Sequence, residues 1–164
     1  QYYYMNLTSE RAREIRKLRK NYNWAIMPKH WDHIRNTNEL SLLVGIINGD
    51  GHLQIGNGKG LVSFYSKNVY EIEYFRKMFY RLFNKKSIVY KNYKNSGRHR
   101  IYYSGKPLAM FLENVGVIKG NKTNIGYLIP NWIMEGDTTF KSNYLKGLYS
   151  TEGTICYSRS RWQI

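Results

Sequence analysis

The chain has 164 residues, with 26 Lys and Arg against 11 Asp and Glu, a formal net charge of +15. Hydrophobic residues make up 42% of it, enough for a packed core and too many for wholesale disorder. No apolar run nears the roughly 20 residues of a membrane helix, and the single cysteine, Cys156, excludes an internal disulfide framework and a Cys-based zinc site. With no leader-like layout at the N-terminus, the expectation is a basic, intracellular domain with no membrane partner. Its excess charge points to a polyanion, nucleic acid first.

In chain order, Thr8 or Ser9 can cap a basic helix running to about residue 20, and residues 29–34 suit a second short helix. Residues 1–37 therefore read as a basic N-terminal extension. Thr37 or Asn38 can cap a helix over 39–48 that is apolar on nearly all sides, through Leu40, Leu43, Val44, Ile46 and Ile47, and so is buried on more than one face. The glycines of Asn48-Gly49-Asp50-Gly51 permit a tight exit. Strands follow at 52–55 and 61–65 around an Asn57-Gly58 hairpin signal, with Lys59 at the tip. Asn68 and Glu71 have the spacing of a capping box, before a helix with Val69, Ile72, Phe75, Phe79 and Leu82 on its apolar face. Strands near 87–91 and 99–103 flank a turn at Asn95-Ser96-Gly97, and a helix over 107–114 closes the unit.

The order helix, two strands, helix, two strands, helix is an α+β arrangement with helices on one face of an antiparallel sheet. The other face then carries alternating polar residues: Gln54, and either Lys91 and Tyr93 or Arg98 and Arg100, depending on register. Between residues 85 and 106, seven Lys and Arg interleave with Tyr90, Tyr93, Tyr102 and Tyr103, with no acid among them. Such a mixture suits a surface that meets phosphates and bases. His30, His33, His52 and His99 show no zinc-binding spacing.

The chain also repeats itself. Leu43-Val44-Gly45-Ile46-Ile47-Asn48-Gly49-Asp50-Gly51 aligns with Leu145-Lys146-Gly147-Leu148-Tyr149-Ser150-Thr151-Glu152-Gly153, 102 residues later. A glycine inside a helix costs up to about 1 kcal/mol relative to alanine, so its recurrence suggests close approach of the two helices at Gly45 and Gly147. Parallel packing would then bring Asp50 and Glu152 together. Two neighbouring carboxylates repel unless a cation intervenes. A hard divalent ion, Mg²⁺ above all, meets that need beside phosphate, which points to phosphodiester hydrolysis.

This motif pair resembles the double-motif LAGLIDADG homing endonucleases, including the intein-associated and archaeal types. The stretch from Gly116 to Thr123, and Ile129-Pro130-Asn131-Trp132-Ile133, resemble that family's inter-repeat region. The resemblance implies an αββαββα unit over 38–137, with a second pseudo-symmetric unit beginning at 138–164 (motif helix and first strand). Two such units form a saddle over double-stranded DNA. By the same resemblance Asp50 and Glu152 bind the metal, Lys122 assists at the site with Lys119 as runner-up, and strand residues read base edges in the major groove. For that last role the candidates are His52, Gln54, Lys59, Lys91, Lys94, Arg98, Arg100, Arg159 and Arg161.

The implied function is site-specific cleavage of both DNA strands. The alternative is a non-catalytic binder of the same fold, an intron RNA maturase or a DNA-binding regulator. A complete second unit needs about a hundred more residues by analogy with the repeat offset. A separate complementing polypeptide is the favoured source, with a fragment or a degenerate reading frame as the alternatives.

Overall fold

A computed structural model describes Trp31, Ile34, residues 37–56, 58–122 and 129–152, and the backbone of two short strands at 156–158 and 161–163. The predicted helix at 8–20 lies outside the described residues. The order is α1 (Asn38–Asn48), β1 (Gly51–Ile55), β2 (Gly60–Ser66), α2 (Val69–Phe83), β3 (Ile88–Tyr90), β4 (His99–Ser104) and α3 (Lys106–Asn114), then α4 (Asn131–Met134), α5 (Thr138–Glu152), β5 (Cys156–Ser158) and β6 (Arg161–Gln163). The first seven elements make the αββαββα unit. The C-terminal stretch contributes two antiparallel strands where one was predicted.

Local chemistry sets the helix ends. Thr37 caps α1: its hydroxyl accepts from the Leu40 amide at 3.2 Å. Asn68 caps α2 by accepting from the Tyr70 amide at 2.9 Å. The predicted capping box does not form, because the Ser66 hydroxyl takes both partners. It donates to Glu71 at 2.5 Å and accepts from the Asn68 amide at 2.9 Å. Asp137 opens α5 by accepting from the Thr139 and Phe140 amides at 2.8 and 3.2 Å. Bonds from the Thr139 hydroxyl and from these amides hold its carboxyl below the ordinary range.

The four strands pair in the order β1-β2-β4-β3, antiparallel throughout. This register decides the faces. Leu53, Val62, Phe64, Ile101 and Tyr103 point into the core against α1, α2 and α3. His52, Gln54, Tyr65, Arg100 and Tyr102 take the open face, so Arg100 rather than Lys91 supplies the basic side chain on the strands. β3 ends at Tyr90, which leaves Lys91 and Tyr93 in a turn that doubles back over residues 91–98. α2 buries Ile72, Phe75, Met78, Phe79, Leu82 and Phe83, while Val69 stays exposed. The core also reaches past the expected boundary at residue 37. Trp31 is 1% exposed, edge-on to Phe83 at 5.4 Å and 5.7 Å from Phe111.

α1 and α5 run parallel. Contacts advance along both helices together, from the Thr139 hydroxyl 2.8 Å from the Asn38 side-chain amide, through Ser41 donating to the Phe140 carbonyl at 2.6 Å, to Gly45 beside Tyr144 and Leu148. A Cβ on Gly45 would lie 2.2 Å from the Tyr144 carbonyl oxygen, and one on Gly147 would lie 2.3 Å from the Leu42 carbonyl oxygen. The backbones therefore touch, and both glycines are demanded by space. α1 is buried nearly all round, with the sheet on one side and α5 on the other. α5 is not. Leu145 and Tyr149, the repeat equivalents of fully buried Leu43 and Ile47, are 40% and 55% exposed.

Gly45→Ala should destabilise the chain. Helix propensity favours alanine by about 1 kcal/mol, but the clash is with backbone that cannot rotate away, and overpacking costs typically about 1–3 kcal/mol. Urea unfolding should show a lower midpoint for Gly45→Ala, whereas Gly56→Ala, with open space around the Cβ, should leave it nearly unmoved.

Candidate nucleic-acid interface and acid site

The C-terminal end of α1 is an assembled polar site. Asn48 is 0% exposed. Its Nδ2 donates to the Gly116 carbonyl at 3.1 Å and to the Tyr144 hydroxyl at 3.4 Å, and its Oδ1 accepts from the Ile118 amide at 2.9 Å. These partners fix which way the side-chain amide faces, since 116 offers an acceptor and 118 a donor. One side chain thus ties α1, α5 and the segment after α3 together. That segment lies alongside β1 in parallel, with the Gly120 amide on the Leu53 carbonyl at 3.0 Å, and partly covers that edge strand.

The segment delivers Lys122 to the end of α1. Its ammonium donates to the Ile47 carbonyl at 2.7 Å and to the Gly49 carbonyl. The last carbonyls of a helix lack internal partners and carry the negative end of its dipole, so a lysine there both caps and neutralises. Lys119 faces elsewhere, 3.5 Å from Glu113. Asp50 follows directly, with its side chain exposed, and lines a pocket of about 270 Å³ with Tyr65, Ser66, Lys67 and Arg98.

The open sheet face continues from this pocket. His52 sits on β1 beside it. Partial withdrawal from water, and then the positive charges of Lys122 and Arg100, hold the His52 imidazole below its ordinary pKa. Arg100 lies among Tyr65, Tyr93 and Tyr102. Lys91, Lys94 and Arg98, all exposed, belong to the β3–β4 turn, at the same end of the sheet as Asp50. Gln54 and Lys59 line another pocket at the opposite end, around the β1–β2 hairpin tip.

The predicted base readers thus fall into two groups, one near the acid and one remote from it. Arg159 lies outside the described residues, as do the side chains of Glu152 and Arg161. The backbone of α5 brings position 152 to the same end of the helix pair as Asp50. Among the described residues no group of three or more His, Cys, Asp or Glu gathers to hold a metal ion. Sequence reasoning missed Asn48, whose neighbours are 68 to 96 residues away. It also missed the tyrosines around Arg100. The interleaved Tyr and Arg were visible as a signal, but only the register shows which of them share a face.

Residues 37–116 match the description of a LAGLIDADG-like domain. The chain is 28% identical over 139 residues to the tRNA-splicing ligase RtcB of Pyrococcus abyssi, a match covering 79% of this chain and 15% of that protein. The RtcB of Pyrococcus furiosus is 29% identical over 142 residues, covering 79% and 14%. The replication factor C small subunit of Methanocaldococcus jannaschii is 35% identical over 141 residues, covering 77% and 8%. The chain therefore spans no more than 15% of the length of these curated relatives. Among the described residues no helix is long and apolar enough to cross a membrane.

Two outcomes follow from this geometry. Asn48→Ala leaves a buried amide and carbonyl unpaired and should lower stability by about 1–3 kcal/mol in urea unfolding, with Tyr144→Phe costing less because it removes one long bond. The unfolded chain binds a proton at His52 more readily than the folded one. Stability should therefore rise with pH up to about 6.5 and level off above it. Urea unfolding across that range should show a rise that His52→Gln reduces.

Proposed function

This chain belongs to the LAGLIDADG homing endonuclease family, and from that membership we propose that it works in a site-specific double-stranded DNA endonuclease with Asp50 and Glu152 as the paired acids. The observation that carries the reading is the parallel, glycine-to-glycine packing of α1 on α5. It supports bringing the residues that end both motif helices to one place, beside an open sheet face bearing arginine and tyrosine.

The donors at that end suit a hard divalent cation, Mg²⁺ above all. They are the carboxylate oxygens of Asp50, exposed in its pocket, while the helix-end carbonyls beside it already hold the Lys122 ammonium. Held by Asp50 and Glu152, such an ion would supply Lewis-acid stabilisation of the charge that builds on a scissile phosphate. The remaining work falls to this chain's own side chains. Lys67 and Arg98, in the pocket with Asp50, bind phosphate oxygens. Lys122 holds a fixed positive charge one residue from Asp50, where it balances charge developing in the transition state. Lys91 and Lys94 extend the phosphate-binding edge. His52 and Gln54 on β1, Lys59 at the hairpin tip and Arg100 on β4 face base edges across the sheet, whose longest strand, the seven residues of β2, spans about 23 Å, or roughly six to seven base-pair steps.

The exposed side of α5 supports a second unit. Leu145 and Tyr149 stand where Leu43 and Ile47 stand in the first motif helix, and those two are wholly buried in a core. In this proposal a second αββαββα unit, from the same polypeptide or another, supplies the matching sheet and, with it, the other half of the DNA surface. The relatives support a transplantable unit. One segment is shared by proteins named as a tRNA-splicing ligase and a replication factor C subunit and makes up at most 15% of each. What they share with this chain is therefore separable from either named activity, which suits an intron- or intein-encoded endonuclease.

The test is cleavage of a plasmid library carrying random target cassettes, with Mg²⁺ or with EDTA, by the chain alone and with any co-purifying partner. Metal-dependent cutting that Asp50→Asn or Glu152→Gln abolishes is the expected result. Tight DNA or RNA binding without cutting in every condition would instead favour the maturase or regulator reading. If about 8 phosphates are neutralised, log K should fall with log[salt] at a slope near −7.

A further inference from the structure

One arginine on the open face is held by three aromatic rings, whereas Lys94 in the neighbouring turn lies over the Tyr93 ring alone, at 5.4 Å. Arg100 Cζ lies 5.0 Å from the ring centres of both Tyr93 and Tyr102 and 5.5 Å from that of Tyr65. Its Nη1 donates to the Tyr93 hydroxyl at 3.2 Å. The rings support one another: Tyr90 stacks on Tyr102 at 5.8 Å and 14°, and Tyr93 lies 5.9 Å from Tyr65 and 6.1 Å from Tyr90. No carboxylate among the described residues pairs with Arg100. The guanidinium is therefore oriented by aromatic faces, which take up none of its N–H groups. Only the Tyr93 hydroxyl uses one.

The backbone is strained to make this cage. Tyr93 reaches Arg100 because the turn doubles back, with its amide on the Arg98 carbonyl at 2.6 Å. Asn92, Lys94 and Asn95 sit at φ of +46°, +52° and +54°. Asparagine tolerates that region, but lysine does so rarely, and strain of this kind persists where surrounding structure demands it. A contact to a phosphate needs charge and little orientation, and Lys91 and Lys94 are exposed enough to provide it. A base edge needs a planar fork at a set angle.

We propose that Arg100 is the specificity-determining residue for one guanine. Its remaining Nη1 and Nη2 hydrogens meet O6 and N7 of that base in the major groove. The base pair it reads lies next to the cut, because Tyr65 both flanks Arg100 and lines the Asp50 pocket. The proposal rests on the DNA-cleaving reading above.

The experiment is selection of bound duplexes from a library with a randomised window, using the full chain in Ca²⁺, followed by competition binding at several salt concentrations. The variants are Arg100→Gln, Arg100→Lys and Tyr93→Phe. The wild type should select one guanine that Arg100→Gln ceases to prefer, a loss of about 5- to 150-fold. Preferences at the other positions and the salt slope should stay unchanged. Arg100→Lys, which keeps the charge but not the planar fork, should prefer the guanine by a smaller margin, so the test survives if Arg100→Gln fails to fold. Tyr93→Phe should keep the guanine by a smaller margin. A uniform weakening on all sequences, with the salt slope reduced by about 1, would make Arg100 a phosphate contact and overturn the proposal while leaving the endonuclease reading intact. An unchanged guanine preference in both Arg100 variants would overturn it too. A wild type that binds no duplex in a salt-dependent way would sink both.

Discussion

Two helices that touch backbone to backbone set the geometry of everything around them. At Gly45 and Gly147 no side chain separates α1 from α5, and each missing Cβ is replaced by a carbonyl of the opposite helix. Contact this close makes α1 an interior element, so it can be apolar on nearly every side without exposing apolar surface. It also shuts the end of the pair tightly enough for Asn48 to reach the Tyr144 hydroxyl across it. That buried amide then fastens the segment after α3, and the segment carries Lys122. A substitution at either glycine is therefore felt through packing and hydrogen bonding at a lysine far away in the sequence.

The electrostatics follow from the same arrangement. The carbonyl end of α1 concentrates partial negative charge, and Asp50 adds a full one beside it. Lys122, Lys67 and Arg98 surround this point with cations, and the open face continues the positive field through Arg100 and the β3–β4 turn. An acid among bases is well placed to receive a phosphate whose charge the bases balance. The neutral state favoured at His52 comes first from its partial withdrawal from water and then from the same cations, since a further proton there would meet Lys122 and Arg100. An antiparallel sheet suits this use because one face is occupied by helices while the other stays open.

Where sequence reading failed, the failures have specific causes. The Asn68–Glu71 spacing fits a capping box, but a serine two residues before the cap competes for both partners. Trp31 sits in a polar, basic stretch, yet it fills a gap between Phe83 and Phe111 that exists only once α2 and α3 have packed. Whether Arg100 or Lys91 lies on the open sheet face turned on a register that periodicity leaves open. A run of residues alternating in and out reads equally well shifted by one. The tyrosine cage needed a turn with left-handed residues that no propensity favours at Lys94.

By itself the sequence determined the alternation of helices and strands, the α+β class, the repeat and its two motif glycines, because periodicity, caps and short motifs are local properties. The excess of positive charge belongs there too. Tertiary structure alone decided which sheet face is open, that Asn48 is the knot joining three segments, that Lys122 lies on the end of α1, and that Arg100 is held among tyrosines. Each of these joins residues distant in the chain or depends on strand register, and such pairings follow from packing that no local pattern encodes.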